Sequence, residues 1–222
     1  MRWALALVLV ASCSGSPEHG APDAGSSSVS DLRSTTLVHP TSADALFVLT
    51  ELDDAGAAAD VHVAVTVRGA TTDLAPSVGG YGASVPLDGG PVEDEPVEVT
   101  VSLGGEVATS SVTLPAGFAI GQVTGTPEMP PFSFTWSPTR SDPMHWEGHA
   151  VAPAGHPCTL AGSASEGSVP DTGSATLTQP LDASGGIDCM LTVSLVRTRS
   201  GTVTNAAPGS SITAEQSHDV YP

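Results

Sequence analysis

Lysine is missing from this sequence altogether, and positive charge of any kind is scarce. The chain of 222 residues has six arginines and 24 aspartates and glutamates, so its formal net charge is −18. Without lysine there is no Walker phosphate loop, no Schiff-base chemistry and no Ser-Lys dyad. A surface this acidic repels nucleic acid and anionic lipid headgroups, so we expect the protein to bind neither.

Long apolar runs are missing as well. The longest, residues 3–11, is about half of the ~20 residues that a membrane-spanning helix needs. One arginine precedes it, and small residues and Cys13 follow it, which is the layout of an export signal. The stretch Val10–Cys13 resembles the bacterial lipobox, which implies cleavage before Cys13 and acylation of that cysteine. We therefore expect a lipoprotein signal peptide at 1–12; an ordinary signal peptide that happens to contain a cysteine is the alternative.

The segment after Cys13 predicts a tether. Residues 14–30 are rich in serine, glycine, proline and alanine, with almost nothing that a core could bury. Such a composition is typical of a flexible linker, and we assign 13–35 to the acylated cysteine and its tether. Ser14 stands where many proteobacterial lipoproteins carry an aspartate for inner-membrane retention. By analogy, we expect an exported, lipid-anchored protein of the outer membrane, at its periplasmic face or at the cell surface.

Two further cysteines, Cys158 and Cys189, remain once Cys13 is acylated. In an exported chain an oxidising compartment favours a disulfide between them. Closing a loop of about 30 residues contributes ~3–4 kcal/mol in the chain-entropy model. Two free buried thiols, or half of a metal site, are the alternatives.

The rest of the chain has the pattern of an all-β protein. Segments rich in valine, threonine, leucine and phenylalanine recur between clusters of glycine, proline, aspartate and serine. Residues 61–68 (VHVAVTVR) and 97–103 (VEVTVSL) alternate with period two, and short strands at this spacing are typical of antiparallel sandwiches. Glycine and proline concentrate between 117 and 131, which predicts a boundary. We expect a β-sandwich domain at 36–119, a linker at 120–127 and a second β-sandwich domain at 128–222.

Short motifs carry a resemblance to known proteins. They are VHVAVTVRG at 61–69, Gly80-Tyr81 and TLPAGF at 113–118, then FTWSP at 134–138, Cys158, DTGS at 171–174, Cys189, VRTR at 196–199 and SITAEQ at 211–216. The first three resemble the Ig-like, carboxypeptidase-regulatory-like modules of exported proteins. The remainder resembles uncharacterised lipoproteins of myxobacteria and related deltaproteobacteria. The resemblance implies two tandem Ig-like sandwiches in the cell envelope and supplies no reaction.

The tetrapeptide Asp171-Thr172-Gly173-Ser174 matches the active-site motif of aspartic proteases. That chemistry needs two aspartates that share one proton, whereas this sequence has one copy. Pro170 precedes it, where a strand residue would have to donate a backbone hydrogen bond. We therefore predict a turn that leads into a strand.

His145, Glu147 and His149 alternate along a predicted strand and so share one face. Two imidazoles and a carboxylate could bind zinc or copper, with His156 as a fourth group. The alternative is a solvated strand face with Trp146 in the core. Because nothing in the sequence identifies groups that would fix the imidazoles, we expect weak metal binding at most.

These features favour a non-catalytic, membrane-anchored envelope lipoprotein with a structural or protein-binding role. It is predicted not to be an enzyme and to need no cofactor. Its expected partners are the membrane, through the lipid, and an envelope protein or glycan. The alternative is a lipoprotein that binds a small ligand, a glycan or a metal (zinc, copper or calcium), and a hydrolase is least favoured because no Gly-x-Ser-x-Gly elbow is present.

Overall fold

The computed structural model describes residues 28–42, 44–53, 60–77, 79–151, 158–161, 165–184 and 189–220. The predicted signal peptide, Cys13, most of the tether and His156 lie outside these ranges. Apart from one 3-10 turn at Val29–Asp31, the regular structure of the described residues is β-strand, which confirms the all-β prediction. None of the described residues belongs to a helix long and apolar enough to cross a bilayer.

The described residues form 18 strands. The first eight are β1 (Arg33–Ser42), β2 (Ala45–Asp53), β3 (His62–Val67), β4 (Ala70–Asp73), β5 (Ala75–Ser77), β6 (Gly80–Pro86), β7 (Pro96–Leu103) and β8 (Glu106–Thr113). The other ten are β9 (Ala119–Thr126), β10 (Met129–Ser137), β11 (Met144–Val151), β12 (Thr159–Ala161), β13 (Glu166–Val169), β14 (Ser174–Leu177), β15 (Asp182–Ser184), β16 (Met190–Ser200), β17 (Thr202–Thr204) and β18 (Ser211–Val220).

Period-two sequence patterns account for the strands that bury one face. In β7, Val97, Val99 and Val101 are buried while Glu98 between them is exposed. Each fully buried valine side chain contributes about 1.5–3 kcal/mol through the removal of apolar surface from water. This gain fixes which face of the strand turns inward, because a register slip of one residue would expose every valine.

One eight-stranded sheet runs through the whole molecule in the order β13-β11-β16-β18-β1-β2-β6-β5. The other sheets have the orders β17-β8-β7-β3-β4, β14-β10-β9 and β12-β15. Most neighbouring strands are antiparallel, but β1 and β18 pair in parallel, with Thr35 opposite Ser211 and Val38 opposite Ala214. The first long strand and the last one therefore lie side by side in the middle of the largest sheet.

Two hydrophobic cores lie against this sheet, which gives a sandwich-like arrangement. The first joins side chains such as Val48 of the large sheet to Val65 and Val99 of the five-stranded sheet. The second joins side chains such as Leu195 to Phe134 of the three-stranded sheet. Strand β18 contributes to both, through Ile212 and Ala214 at one end and Val220 at the other.

Strands from both predicted domains are mixed in this arrangement. The large sheet contains β1, β2, β5 and β6 from one and β11, β13, β16 and β18 from the other. Strand β17 pairs with β8 across the predicted boundary. Residues 119–126, most of which the sequence suggested as a linker, form β9 and pair with β10. Ile120 and Val123 pack against the second core there, so burial of apolar side chains outweighs the local glycine and proline content.

Cys158 and Cys189 form a disulfide with their Cα atoms 5.9 Å apart, which confirms the predicted pairing. The bridge ties the residue before β12 to the residue before β16. It therefore fastens the small two-stranded sheet to a central strand of the large one.

Candidate functional site

Buried polar groups gather where β16 and β18 pass from one core to the other, a region that we call the seam. Arg197 on β16 has no exposed surface. Its guanidinium donates hydrogen bonds of 2.8 Å to the carbonyl oxygens of Ala116 and Pro138 and to the Asp171 carboxylate. It also lies over the Phe118 ring, 5.0 Å from the ring centroid. This buried charge is therefore neutralised and bound in place by residues from several segments.

Asp171, the aspartate of the protease-like tetrapeptide, is the anion of that buried pair. Its side chain is 3% exposed and accepts hydrogen bonds from three donors: the Trp136 indole (2.7 Å), the Arg140 backbone N–H (2.7 Å) and Arg197 (2.8 Å). Gly173 has a positive φ of 88° and precedes β14, so the segment is a turn into a strand. A carboxylate bound by three donors stabilises the fold. Its partners here are an indole, a backbone N–H and a guanidinium, whereas an aspartic protease needs a second carboxylate that shares a proton with the first.

Partly buried ion pairs extend the seam towards the surface. Arg199 makes two parallel hydrogen bonds to Asp142 (2.9 and 2.8 Å) and a third contact to Asp94. Arg140 binds Glu93 through two further hydrogen bonds, of 2.8 and 3.1 Å. The Arg140 hydrogen bond also holds the pKa of the Glu93 carboxyl below its ordinary value. Because Glu93 and Asp94 precede β7 while the arginines belong to the later half of the chain, these pairs join the two cores.

Every arginine of the described residues is paired with a carboxylate. Besides the three at the seam, Arg33 lies near Asp53, and Arg68 binds Glu95. The five arginines that the structure describes therefore form ion pairs within the fold. The rest of its charged surface is carried by carboxylates and imidazoles.

The large sheet has a second face, which we call the outer face, directed away from both cores. Strand alternation and register place on it Leu37 and His39 of β1, Phe47, Leu49 and Glu51 of β2, His145, Glu147 and His149 of β11, Ser194 and Val196 of β16, and Glu215, Ser217 and Asp219 of β18. The described elements that pack on the sheet contact its opposite face. The middle of the outer face carries half-buried apolar side chains such as Leu37 and Leu49, whereas Ser194 and Val196 of β16 are buried.

The predicted histidine group lies at one side of the outer face. The two carboxylate oxygens of Glu147 lie 2.9 Å from His145 Nε2 and 3.8 Å from His149 Nε2. The three side chains thus share a face, as expected, but both imidazoles turn towards the carboxylate. In the described part of the chain, no group of three histidine, cysteine or acidic residues is arranged to hold a metal ion. Metal binding at this group stays a hypothesis.

Glu215 lies near the middle of the outer face and is electrostatically linked to both sides. Burial raises the pKa of its carboxyl, His145 and His39 oppose that rise, and Glu147 adds to it. Beside Glu215 is an open depression of about 310 Å³, lined also by Leu37, Leu49, Glu51 and three threonines. An apolar floor between two carboxylates is suited to a group that is both apolar and cationic.

Sequence reasoning did not single out this depression, although one signal pointed to it. The run ALFVL at 45–49 is apolar at every position. An antiparallel strand with one solvated face normally alternates apolar and polar residues. In the structure, Leu46 and Val48 face the core, whereas Phe47 and Leu49 lie half-buried on the outer face. A continuous apolar run in an antiparallel sheet is therefore the feature that could have marked this surface.

No known family model matches the sequence, and no curated protein is significantly similar to it. The function is therefore inferred from the residues and their geometry.

Proposed function

We propose that this chain is a non-catalytic, lipid-anchored protein of the cell envelope that binds a partner protein through its outer face. The main support for the proposal is the row of half-buried apolar residues Leu37, Phe47 and Leu49 in the middle of an eight-stranded sheet. Contiguous apolar surface rimmed by polar groups is typical of protein interaction sites. We include in the proposal that the two cores belong to tandem Ig-like sandwiches.

The seam supports a binding role over a catalytic one. Asp171 is the residue with the clearest catalytic motif, and it is held by three hydrogen-bond donors. On the outer face Ser194 donates a 2.6 Å hydrogen bond to Asp219, which joins β16 to β18. The polar groups best placed for chemistry are therefore engaged in contacts that stabilise the sheet and the seam.

Two features support export and anchoring. The lipobox-like Val10–Cys13 follows a short apolar run, and the disulfide fits an oxidising compartment. Acylation with two or three chains would hold the protein firmly, since each buried methylene contributes ~0.8 kcal/mol. Replacing Cys13 by serine should abolish incorporation of radiolabelled palmitate, and undiminished labelling of the Cys13→Ser variant would contradict the anchor.

Site-specific photo-crosslinking in the native cell tests the binding role. The photoreactive amino acid benzoylphenylalanine would replace Leu37 on the outer face or, as a control, Glu98 on the exposed side of β7. We expect a discrete crosslinked partner from position 37 and none from position 98. Equal yields at the two positions, or no adduct at position 37, would contradict an interface on the outer face.

A histidine-bound metal is the second candidate function, because Glu147 brings two imidazoles to one carboxylate. A metal ion would have to replace these contacts and recruit a further ligand to complete its shell. The protein-binding proposal needs no such rearrangement, and we favour it for that reason.

A further inference from the structure

The outer face has a strongly one-sided charge. Four carboxylates lie on it, those of Glu51, Glu147, Glu215 and Asp219. Among the described arginines only Arg33 is on the same face, at the end of β1, where it lies near Asp53. Glu51 and Glu215, which lie beside the apolar residues at the centre of the face, therefore have no ion pair with a described arginine.

The depression brings apolar side chains and carboxylates together at one place on the outer face. Leu37 and Leu49 are opposite each other in the pairing of β1 with β2. Glu51 and Glu215 line the same depression, and no arginine lies within ion-pair distance of either among the described residues. A lysine or arginine side chain combines an aliphatic stem with a cationic head, and such a side chain matches both parts of the depression.

We propose that the outer face docks a basic segment of a partner protein, with a lysine or arginine side chain lying across Leu37 and Leu49 between Glu51 and Glu215. This inference rests on the proposed function and names the chemistry of the partner. Complementary charge across an interface raises the association rate and selects the partner. The Leu37 and Leu49 contacts supply apolar burial in addition.

The partial burial of the Glu215 carboxyl supports the proposal in addition to the excess of carboxylates on the outer face. Burial raises the pKa of its carboxyl, so the ionised form is disfavoured in the free protein. A cation placed beside it would relieve that cost, since an opposite charge within a few ångströms favours the ionised form. The free protein therefore holds a partly desolvated carboxylate that a basic side chain would stabilise.

Two other occupants fit the face poorly. A second copy of this chain would bring one acidic surface against another, in a molecule with a formal net charge of −18. Membranes and nucleic acids present phosphates, which the four carboxylates repel. A basic polypeptide is the occupant whose charge and shape both agree with the surface.

The test uses the full-length protein in nonionic detergent and a fluorescein-labelled peptide of alternating lysine and serine, with binding followed by fluorescence anisotropy. The E51Q/E215Q variant removes two charges at the depression. The matched control, E98Q/E128Q, removes two charges from exposed carboxylates elsewhere, so the net charge of the two variants is the same. We expect E51Q/E215Q to weaken binding about tenfold or more, and the control to stay within about twofold of the unmodified protein.

Equal weakening in both variants would show attraction to net charge alone and would overturn the proposal. So would the absence of any binding by the unmodified protein, or full binding by a folded E51Q/E215Q variant. The failure of this inference is distinguishable from that of the proposed function. If the peptide does not bind but position 37 still yields a discrete crosslinked partner, the partner is not basic and the outer face remains an interface.

Discussion

Replacement of Asp171 by asparagine should destabilise the protein strongly, because Arg197 would keep its charge and lose the counter-ion. Arg197 has no exposed surface and the Asp171 side chain is 3% exposed, so water cannot take the place of the lost partner. Breaking one side of such a buried pair costs about 3–5 kcal/mol. The whole stability of a domain is only about 5–15 kcal/mol. The loss should therefore be a large share of the free energy of unfolding.

Urea denaturation followed by tryptophan fluorescence and circular dichroism measures this loss. For a slope of about 2 kcal/mol per molar urea, the unfolding midpoint should fall by roughly 1.5–2.5 M. Asp182→Asn makes the same chemical change at an exposed position of β15 and should alter stability by less than about 0.5 kcal/mol.

A second variant separates the loss of a charge partner from the loss of packing. Adding Arg197→Met to Asp171→Asn removes the unpaired buried charge and should recover part of the lost stability. A loss of less than about 1 kcal/mol in Asp171→Asn would refute our account of the seam. A double variant less stable than Asp171→Asn alone would refute it as well.

Three other variants test separate parts of the structure. Replacing Cys158 and Cys189 together by alanine should lower the free energy of unfolding by about 3 kcal/mol because the open chain gains entropy; an unchanged calorimetric transition would contradict this. Burial lowers the pKa of His218, so the unfolded chain binds the proton more readily. Stability should therefore fall as the pH drops below the unfolded imidazole value of about 6.5, and His218→Gln should flatten this fall between pH 7 and 5 in urea midpoints; parallel curves would disprove the assignment. Calorimetric titration of the full-length protein with zinc should show affinity weaker than about 1 μM, because the described residues include no group arranged to hold a metal ion; tight one-to-one binding that is lost in His145→Ala and His149→Ala would establish the metal site.

Local patterns in the sequence predicted the features that depend on neighbouring residues. The alternation at 97–103 predicted the buried valines of β7, and the expectation of export together with two remaining cysteines predicted the disulfide. The first inference depends on the spacing within one segment, and the second on the number of cysteines left once Cys13 is assigned to acylation.

Long-range pairing could not be predicted in the same way. Nothing local in 33–42 or 211–220 shows that these strands pair in parallel, which places strands from both halves of the chain in one sheet. The Arg197–Asp171 pair could not be predicted either, because the two residues belong to separate sequence motifs that come into contact only in the folded protein. Glycine and proline at 117–131 predicted a boundary with a linker at 120–127, whereas residues Ala119–Thr126 form β9 and pack against the second core.

The most direct test of the outer face as an interface is carbodiimide labelling of carboxylates in the intact envelope and in the purified full-length protein. Glu51 and Glu215 lie on the outer face, and Glu98 and Glu128 lie on exposed surfaces elsewhere. We expect mass spectrometry to find Glu51 and Glu215 labelled in the purified protein and protected in the envelope, with Glu98 and Glu128 labelled equally in both. Equal labelling of all four carboxylates in the two preparations would contradict a partner bound on the outer face.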